Sequence, residues 1–387
     1  MVFGSLVYVA TENDSIYALR ASDGTVQWQT SVGRAVPASS LPCGDVAPTV
    51  GITGTPVIDP QRHELFAVAE VEVNGTVAHE LVGVSTDTGK VELRKVIDTA
   101  SMTPRNYLRR TGLALVGHHI YFGVAGNDGG CAFYRGHFFS ASEDGSSVRS
   151  FAIDSQPGQY QGGIWMGGAA PVVDAAGNLW VAVGNGSVRT TGQPYDHSDA
   201  VIKFDPSLRI KGFFTPSTWA QQNAQDLDIS STPTFLPGGL VLIAGKSDLL
   251  YVERSAALTG IGGQIATATR SCPSDIDGGS VAVGDVAVLP CLSGPEVVSV
   301  HATGSGGVAV HPLWQATVGG GPPLVIGAHV WTVGRDGSLN ELALATGAVE
   351  QTASIGSVAN HFTTPRFGDG ELLVANATSV IAFAAQP

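Results

Sequence analysis

Charge is scarce in this sequence. Only 14% of its 387 residues are Asp, Glu, Lys or Arg, and Lys and Arg together number 20. Against 33 acidic residues this leaves a formal net charge of -13. Nucleic-acid binding needs clustered cations that displace counterions from phosphates, so that class of partner is not expected. No apolar run approaches the ~18 residues of a bilayer-spanning helix, so no membrane span is expected. No basic segment followed by an apolar one opens the chain, so it carries no recognisable export signal. The short catalytic signatures are missing as well. There is no G-x-S-x-G, no H-E-x-x-H, no P-loop and no C-x-x-C-H, which argues against a hydrolase or c-type haem protein of those kinds.

Cysteine is scarce too. Cys43, Cys131, Cys272 and Cys291 form no C-x-x-C, and no His stands at zinc-finger spacing from them. A structural zinc site is therefore not expected, and no other metal site is assigned. An even number of cysteines in loop-like contexts ("SLPCGD", "DGGCAF", "RSCPSD", "LPCLSG") suggests two disulfides, Cys43–Cys131 and Cys272–Cys291. The alternative is four reduced thiols in a cytosolic protein. Disulfides imply an oxidising compartment, hence a secreted or periplasmic protein supplied without its export signal.

Glycine and apolar residues are plentiful, at 50 residues and 43%. Together with the low charge they fit many short strands joined by tight turns rather than a disordered chain. Internal repeats bear this out. "YALRASDGTVQW" at 17–28 aligns with "VGVSTDTGKVEL" at 82–93 and "NELALATGAVEQ" at 340–351, and loosely with "FSASEDGSSVRS" at 139–150. A second recurring element is a Gly- or Thr-Pro-led apolar strand: "GITGTPVID", "GGAAPVVD", "SSTPTFL", "GGPPLVIG", "FTTPRFGD". Joined, they give a unit of strands A, B, C, a D-x-G-type turn, and strand D. Period-2 alternation makes each unit an antiparallel meander. One such sheet cannot bury both faces, and radial stacking of several sheets does so.

The expected fold is thus all-β, one β-propeller domain over 1–387 with four-stranded antiparallel blades. A strands are expected to begin near 53, 111, 168, 231, 279, 322 and 362, with another before residue 1. That makes eight blades, seven being the second count. Both terminal blades are expected to be incomplete, the first lacking strand A and the last strand D, through lost upstream residues or irregular closure. "TWAQQNAQ" at 218–225 is the best candidate for a helical turn. Gly24 should supply the turn between C and D, and Trp28 should cover the junction with an adjacent blade. A monomer is expected.

"YALRASDGTVQW" also resembles the tryptophan-docking repeat of the pyrroloquinoline-quinone-like (PQQ-like) propeller superfamily, roughly A-L-D-x-x-T-G-x-x-x-W. Ala18, Leu19, Gly24 and Trp28 match, and Arg20 stands at the Asp position. The second unit has Thr88 and Gly89 but Leu93 for Trp; the seventh has Thr346 and Gly347 but Gln351. "GITGTPVID" and "GGIWMGGAAPVVDAAGNLWVAVGNG" are similar to stretches of secreted bacterial proteins of this superfamily. The resemblance implies an eight-bladed propeller outside the cytoplasm. Its alcohol dehydrogenases hold the quinone PQQ against a vicinal Cys-Cys disulfide, with a Glu/Asn/Asp set on Ca²⁺. This chain has no adjacent cysteines, so PQQ as cofactor is not supported by motif.

In a propeller the D–A and B–C loops gather at one end of the axis. The positions just before each A strand hold Thr53, Arg109, Arg110, Trp165, Met166, Asp226, Asp228, Asp275, Asp277, Gly319–Gly321, Asn360 and His361. Long B–C excursions add Tyr134, Arg135 and His137, and also Tyr195, Asp196, His197 and Asp199. The last run reads as a surface turn rather than a cation site, because Ca²⁺ takes six or more oxygens. Arg109, Arg110, Trp165, Tyr134 and His137 are the candidate ligand-binding residues. Two guanidiniums suit an acidic ligand, and Trp165 offers a stacking face. His361, Asp228 and Asp277 are the candidate catalytic groups, His361 being able to move a proton near neutral pH. The functional expectation is a ligand-binding or protein-interaction scaffold, comparable in kind to the outer-membrane assembly lipoprotein with this repeat. The alternative is an enzyme of lyase or cyclase type, or less readily a PQQ-dependent dehydrogenase.

Overall fold

Alternating apolar residues pair as antiparallel strands from the first residues onward. Leu6–Ala10, Ser15–Arg20 and Val26–Ser31 form one meander, and Val2–Phe3 adds a fourth strand through Val2↔Val7 and Phe3↔Leu6. The first blade therefore does have its A strand, contrary to the expectation from sequence. Two residues are too short a run for alternation to reveal. The structure, a computed structural model, describes residues 1–128, 131–304 and 306–384.

Seven further sheets follow in chain order, giving an eight-bladed β-propeller. The second blade is Val57–Asp59, Glu64–Val73, Thr76–Ser85 and Val91–Val96. The third is Ala114–Val116, His119–Gly126, His137–Ser142 and Val148–Ala152, with Tyr107–Leu108 as an extra strand. The fourth contains Val172–Val173, Leu179–Val183, Ala200–Phe204 and Ile210–Thr215, and also has five strands. Four-stranded fifth, sixth and seventh blades begin at Thr234–Leu236, Val281–Val283 and Leu324–Ile326. The eighth is Arg366–Gly368, Glu371–Ala375 and Val380–Ala384, three strands, as expected. A strands start a few residues beyond their expected positions because the Gly- and Pro-rich leaders remain in the D–A connections. The one α-helix among the described residues is Trp219–Gln225, at the segment marked by "TWAQQNAQ".

The chain groups into two compact units, 1–198 with 203–211, and 199–202 with 212–387. In each, the cores are sandwiched between successive blades. Glu64–Val73 shows why a B strand is apolar on both faces. Leu65, Ala67, Ala69 and Val71 pack towards the first blade with Ile16 and Ala18. The alternate residues Phe66 and Val68 pack towards the third with Ile120, Phe122 and Phe139. In the second unit the same division puts Ala287 and Leu289 with Leu242 and Val252, and Val288 with Val330 and Leu342.

The D-strand aromatics lock these junctions. Trp28 Nε1 donates to the Thr86 carbonyl (3.0 Å) across the junction of the first two blades. Its ring covers Gly89, where an added Cβ would stand 2.7 Å from ring carbons. Gly89 also has φ +72°, so a side chain there meets two obstacles. Trp314 repeats the device in the second unit, donating to the Leu344 carbonyl (2.9 Å) over Gly347. Where Leu93 replaces Trp, its Cδ1 lies 2.7 Å from a Cβ built on Gly145, in the corresponding turn of the third blade. Trp28→Ala is expected to cost about 3 kcal/mol in denaturant unfolding, from lost burial and an unmade hydrogen bond. A loss below about 1 kcal/mol would show that the ring does little for the junction.

Both expected disulfides are present. Cys272–Cys291 (Cα–Cα 5.9 Å) brackets the A–B hairpin of the sixth blade. Cys43–Cys131 (Cα–Cα 6.3 Å) ties the long first D–A connection to the B–C loop of the third blade.

Candidate functional site

Within the first unit the chain leaves the second blade at Val96 and returns through a 3₁₀ turn, Pro104–Asn106, into Tyr107–Leu108. Tyr107↔Gly126 and Leu108↔Ala125 pairing fixes this segment on the third blade. The next residue, Arg109, is only 2% exposed. Its Nη2 donates to Asp98 Oδ1 (3.0 Å), and the same oxygen lies 2.7 Å from His79 Nδ1. The His79 backbone N–H donates to Asp98 Oδ2 (2.8 Å), and His79 Nε2 lies 3.5 Å from Glu70 Oε2. Two anions and two potential cations thus form one buried network. Burial and Arg109 push the His79 pKa down, but Asp98 and Glu70 outweigh them and hold it above its ordinary value. Burial raises the Asp98 carboxyl, yet His79 and Arg109 bring it below the usual carboxylate range.

On the other side of Arg109 lies an aromatic nest. The guanidinium carbon is 5.7 Å from the Tyr107 ring centroid. Tyr107 in turn packs edge-on against Tyr134 and His137, both at 6.3 Å between centroids. Tyr134 meets Trp165 edge-on at 6.3 Å. Four of the five ligand-binding candidates, Arg109, Tyr134, His137 and Trp165, are therefore gathered around Tyr107, a residue the sequence reading missed. Burial, Arg109 and Arg135 lower the His137 pKa to about 4, so its imidazole is neutral. His137 Nδ1, Arg109 Nε and Arg109 Nη1 are buried and meet no hydrogen-bond partner among the described residues. Trp165 is half-buried, and Phe133 and Tyr160 expose 61% and 40% of their surface with rings 5.5 Å apart.

Arg110 follows a different course. Its Nη2 donates to Asp45 Oδ1 at 2.7 Å. Asp45 sits on a loop closed by Val36↔Val50 pairing and anchored through Cys43. Thr53 donates to Glu12 Oε2 (3.1 Å). The Asp196 turn is buried, not at the surface as expected. Asp196 is 0% exposed and accepts N–H groups of Val188 and Ser198 (3.1 and 3.2 Å).

The second unit brings together the three catalytic candidates around a lysine that sequence alone did not single out. Lys246 Nζ lies 2.6 Å from Asp228 Oδ2 and 3.1 Å from Asp226 Oδ2. Burial lowers the Lys246 pKa, but these carboxylates prevail and hold it well above the ordinary lysine value. Asp277 is raised by burial, while Ser230 and Lys246 partly offset the rise. His361 Nε2 stands 3.9 Å from Asp277 Oδ2. Lys246 occupies the B–C loop after Leu240–Ile243. A lone cation in the charge-poor stretch "LIAGKSDLL" was the available signal.

These residues do not fit PQQ and its calcium. The disulfides join cysteines 88 and 19 positions apart, so neither makes the vicinal ring expected against a quinone. Asp228 already faces an ammonium, leaving no oxygen-only set there for a calcium ion.

No protein-family model and no curated protein sequence matches the chain. Solved structures do match it in fold. BamB from Moraxella catarrhalis aligns with 98% of this chain and 93% of its own, at TM-score 0.63 and 15% identity. Quinohemoprotein alcohol dehydrogenase ADHIIG from Pseudomonas putida HK5 aligns with 97% of this chain and 68% of its own, at TM-score 0.69 and 13% identity. A europium-containing methanol dehydrogenase aligns with 97% and 81%, at TM-score 0.67 and 13% identity. These three structural neighbours are PQQ-like β-propellers, and at such identities the likeness concerns the fold.

Proposed function

We propose that this protein is an extracytoplasmic propeller that binds a small ligand in the aromatic nest around Tyr107. The ligand carries an acidic group and a flat or apolar body. The observation that supports this reading is the combination of buried, unpartnered polar atoms with aromatic walls. His137 Nδ1, Arg109 Nε and Arg109 Nη1 have no hydrogen-bond partner among the described residues, and Tyr107, Tyr134 and Trp165 pack ring against ring beside them. Buried polar groups are normally satisfied, so such atoms call for water or a ligand. Apolar walls with a few convergent polar groups are the usual make-up of a small-molecule site. Half-buried Trp165 supplies a face for the ligand body, and Arg110, whose partner Asp45 lies on a loop, supplies the cation for its acid. The two disulfides support the extracytoplasmic location.

The test is calorimetric titration of aromatic and alicyclic carboxylates into wild-type protein and into Trp165→Ala and Arg110→Ala. A wild-type ligand is expected to lose at least about a hundredfold in affinity with either substitution, the range of a lost stacking or charged contact. Melting temperatures should change little. Equal binding by wild type and both variants would reject the site.

A further inference from the structure

We propose that Asp59, His118 and Glu143 form a binding site for one divalent transition-metal ion of the zinc or manganese class. Asp59 ends the A strand of the second blade, Val57–Asp59. His118 precedes the B strand of the third blade, His119–Gly126, and Glu143 follows its C strand, His137–Ser142. A backbone bond from Glu143 N–H to the His118 carbonyl (3.1 Å) holds the two turns together. One ligand atom from each of the three side chains lies within 4.8 Å of the other two. One imidazole nitrogen with two carboxylates is a donor set suited to zinc, manganese or cobalt.

The chemistry of the carboxylates is what points to a cation. Asp59 and Glu143 are 5% and 3% exposed and face one another as acceptor-only groups. Glu143 Oε2 has His118 Nδ1 at 2.9 Å, but Oε1 is buried and meets no donor among the described residues. The neighbouring guanidinium of Arg62 is engaged with Glu64 Oε2, at 2.9 and 2.8 Å. Two buried carboxylates in contact must share a proton or a cation. A divalent ion replaces that proton and gives Oε1 a partner. His118, with a side chain 77% exposed, leaves an entry path and room for water ligands.

This site is distinct from the aromatic nest. His118 stands at the start of His119–Gly126, whereas Tyr107 pairs with Gly126 at its end. At ~3.3 Å per residue the two lie roughly 20–25 Å apart along that strand. A second group, His329, Glu341 and Glu350, is closed differently. One nitrogen, His329 Nδ1, stands 3.1 and 2.7 Å from the two carboxylates, so the imidazole itself already lies between them.

The experiment uses the whole chain after dialysis against a chelator. Zn²⁺ is titrated calorimetrically, and Co²⁺ is followed by visible absorption. Wild type is expected to bind one Zn²⁺ per chain and to melt at a higher temperature with it. His118→Ala and Glu143→Gln should each weaken binding at least about tenfold and diminish the Co²⁺ band. His329→Ala should bind as wild type. His118 is exposed, so its variant keeps the test decisive should Glu143→Gln fail to fold. No saturable binding up to about 1 mM Zn²⁺, or unchanged binding by His118→Ala, would overturn the proposal.

Discussion

Asp98→Ala is expected to destabilise the protein by about 3–5 kcal/mol, the usual cost of breaking a buried ion pair from one side. The substitution leaves Arg109 at 2% and His79 at 0% side-chain exposure without the carboxylate both share. It also removes the acceptor of the His79 backbone N–H. The pH dependence distinguishes this network from simple packing. His79 is held above its ordinary value, so its contribution is full below ~6.5 and fades as pH rises through the folded pKa. Asp98 is held below its ordinary value, so its contribution is full above ~3.9 and fades as pH falls through the folded pKa. The contribution of this pair should therefore crest between roughly pH 4 and 6.5. Asp14 tilts this window towards its acid end. Burial, Glu12 and Glu70 raise its carboxyl to about 8, so its contribution is full only below ~3.9 and is lost as pH rises through about 8. Unfolding of wild type and Asp98→Ala from pH 4 to 9 checks this. A variant with wild-type stability, or one that keeps the full crest, would show that the network is incidental.

The second large effect concerns the loop that carries Asp45. Cys43 and Cys131 are 88 positions apart, so their bond closes a long loop in the unfolded chain. In the chain-entropy model such a cross-link is worth up to about 4.5 kcal/mol. The Cys43→Ser, Cys131→Ser double variant is expected to lose about 3–4 kcal/mol. It should also loosen the Arg110–Asp45 pair, since Asp45 lies two residues from the anchor. Arg110 is the cation assigned to the ligand's acid, so affinity for a carboxylate ligand should shift along with stability. The matching Cys272, Cys291 double variant, with a separation of only 19, should lose less stability and leave that affinity unchanged. Equal effects of the two double variants on binding would detach the loop from the site.

The fold was legible in the sequence because its determinants are local. Alternation within Leu6–Ala10 or His329–Val333 is visible without knowing what either packs against. The turn glycines preserved the phase of the repeat, Gly24, Gly89 and Gly347 all having φ near +70°. Trp314 escaped notice because Val308–Gln315 is longer than the other D strands of its pattern, so the indole falls seven residues past Gly307 instead of four. Val2–Phe3 escaped because two residues have no period. The site was half legible. Its residues could be guessed from their place before A strands or in B–C loops; Tyr134 touches Trp165, and Tyr134 and His137 both touch Tyr107. What organises them is non-local. Tyr107 meets Tyr134 and His137 some thirty residues away, Asp98 takes both Arg109 and His79, and Lys246 gathers carboxylates about twenty residues away. No spacing rule connects such pairs.

The most direct measurement of the central claim is an experimental electron-density map of the wild-type protein, purified without added ligand and then soaked with the tightest carboxylate from titration. The account predicts non-protein density against the Trp165 face, with atoms in hydrogen-bond range of His137 Nδ1 and the Arg109 Nε or Nη1. A closed nest in which protein groups satisfy those three atoms, and no soaked ligand enters, would contradict it.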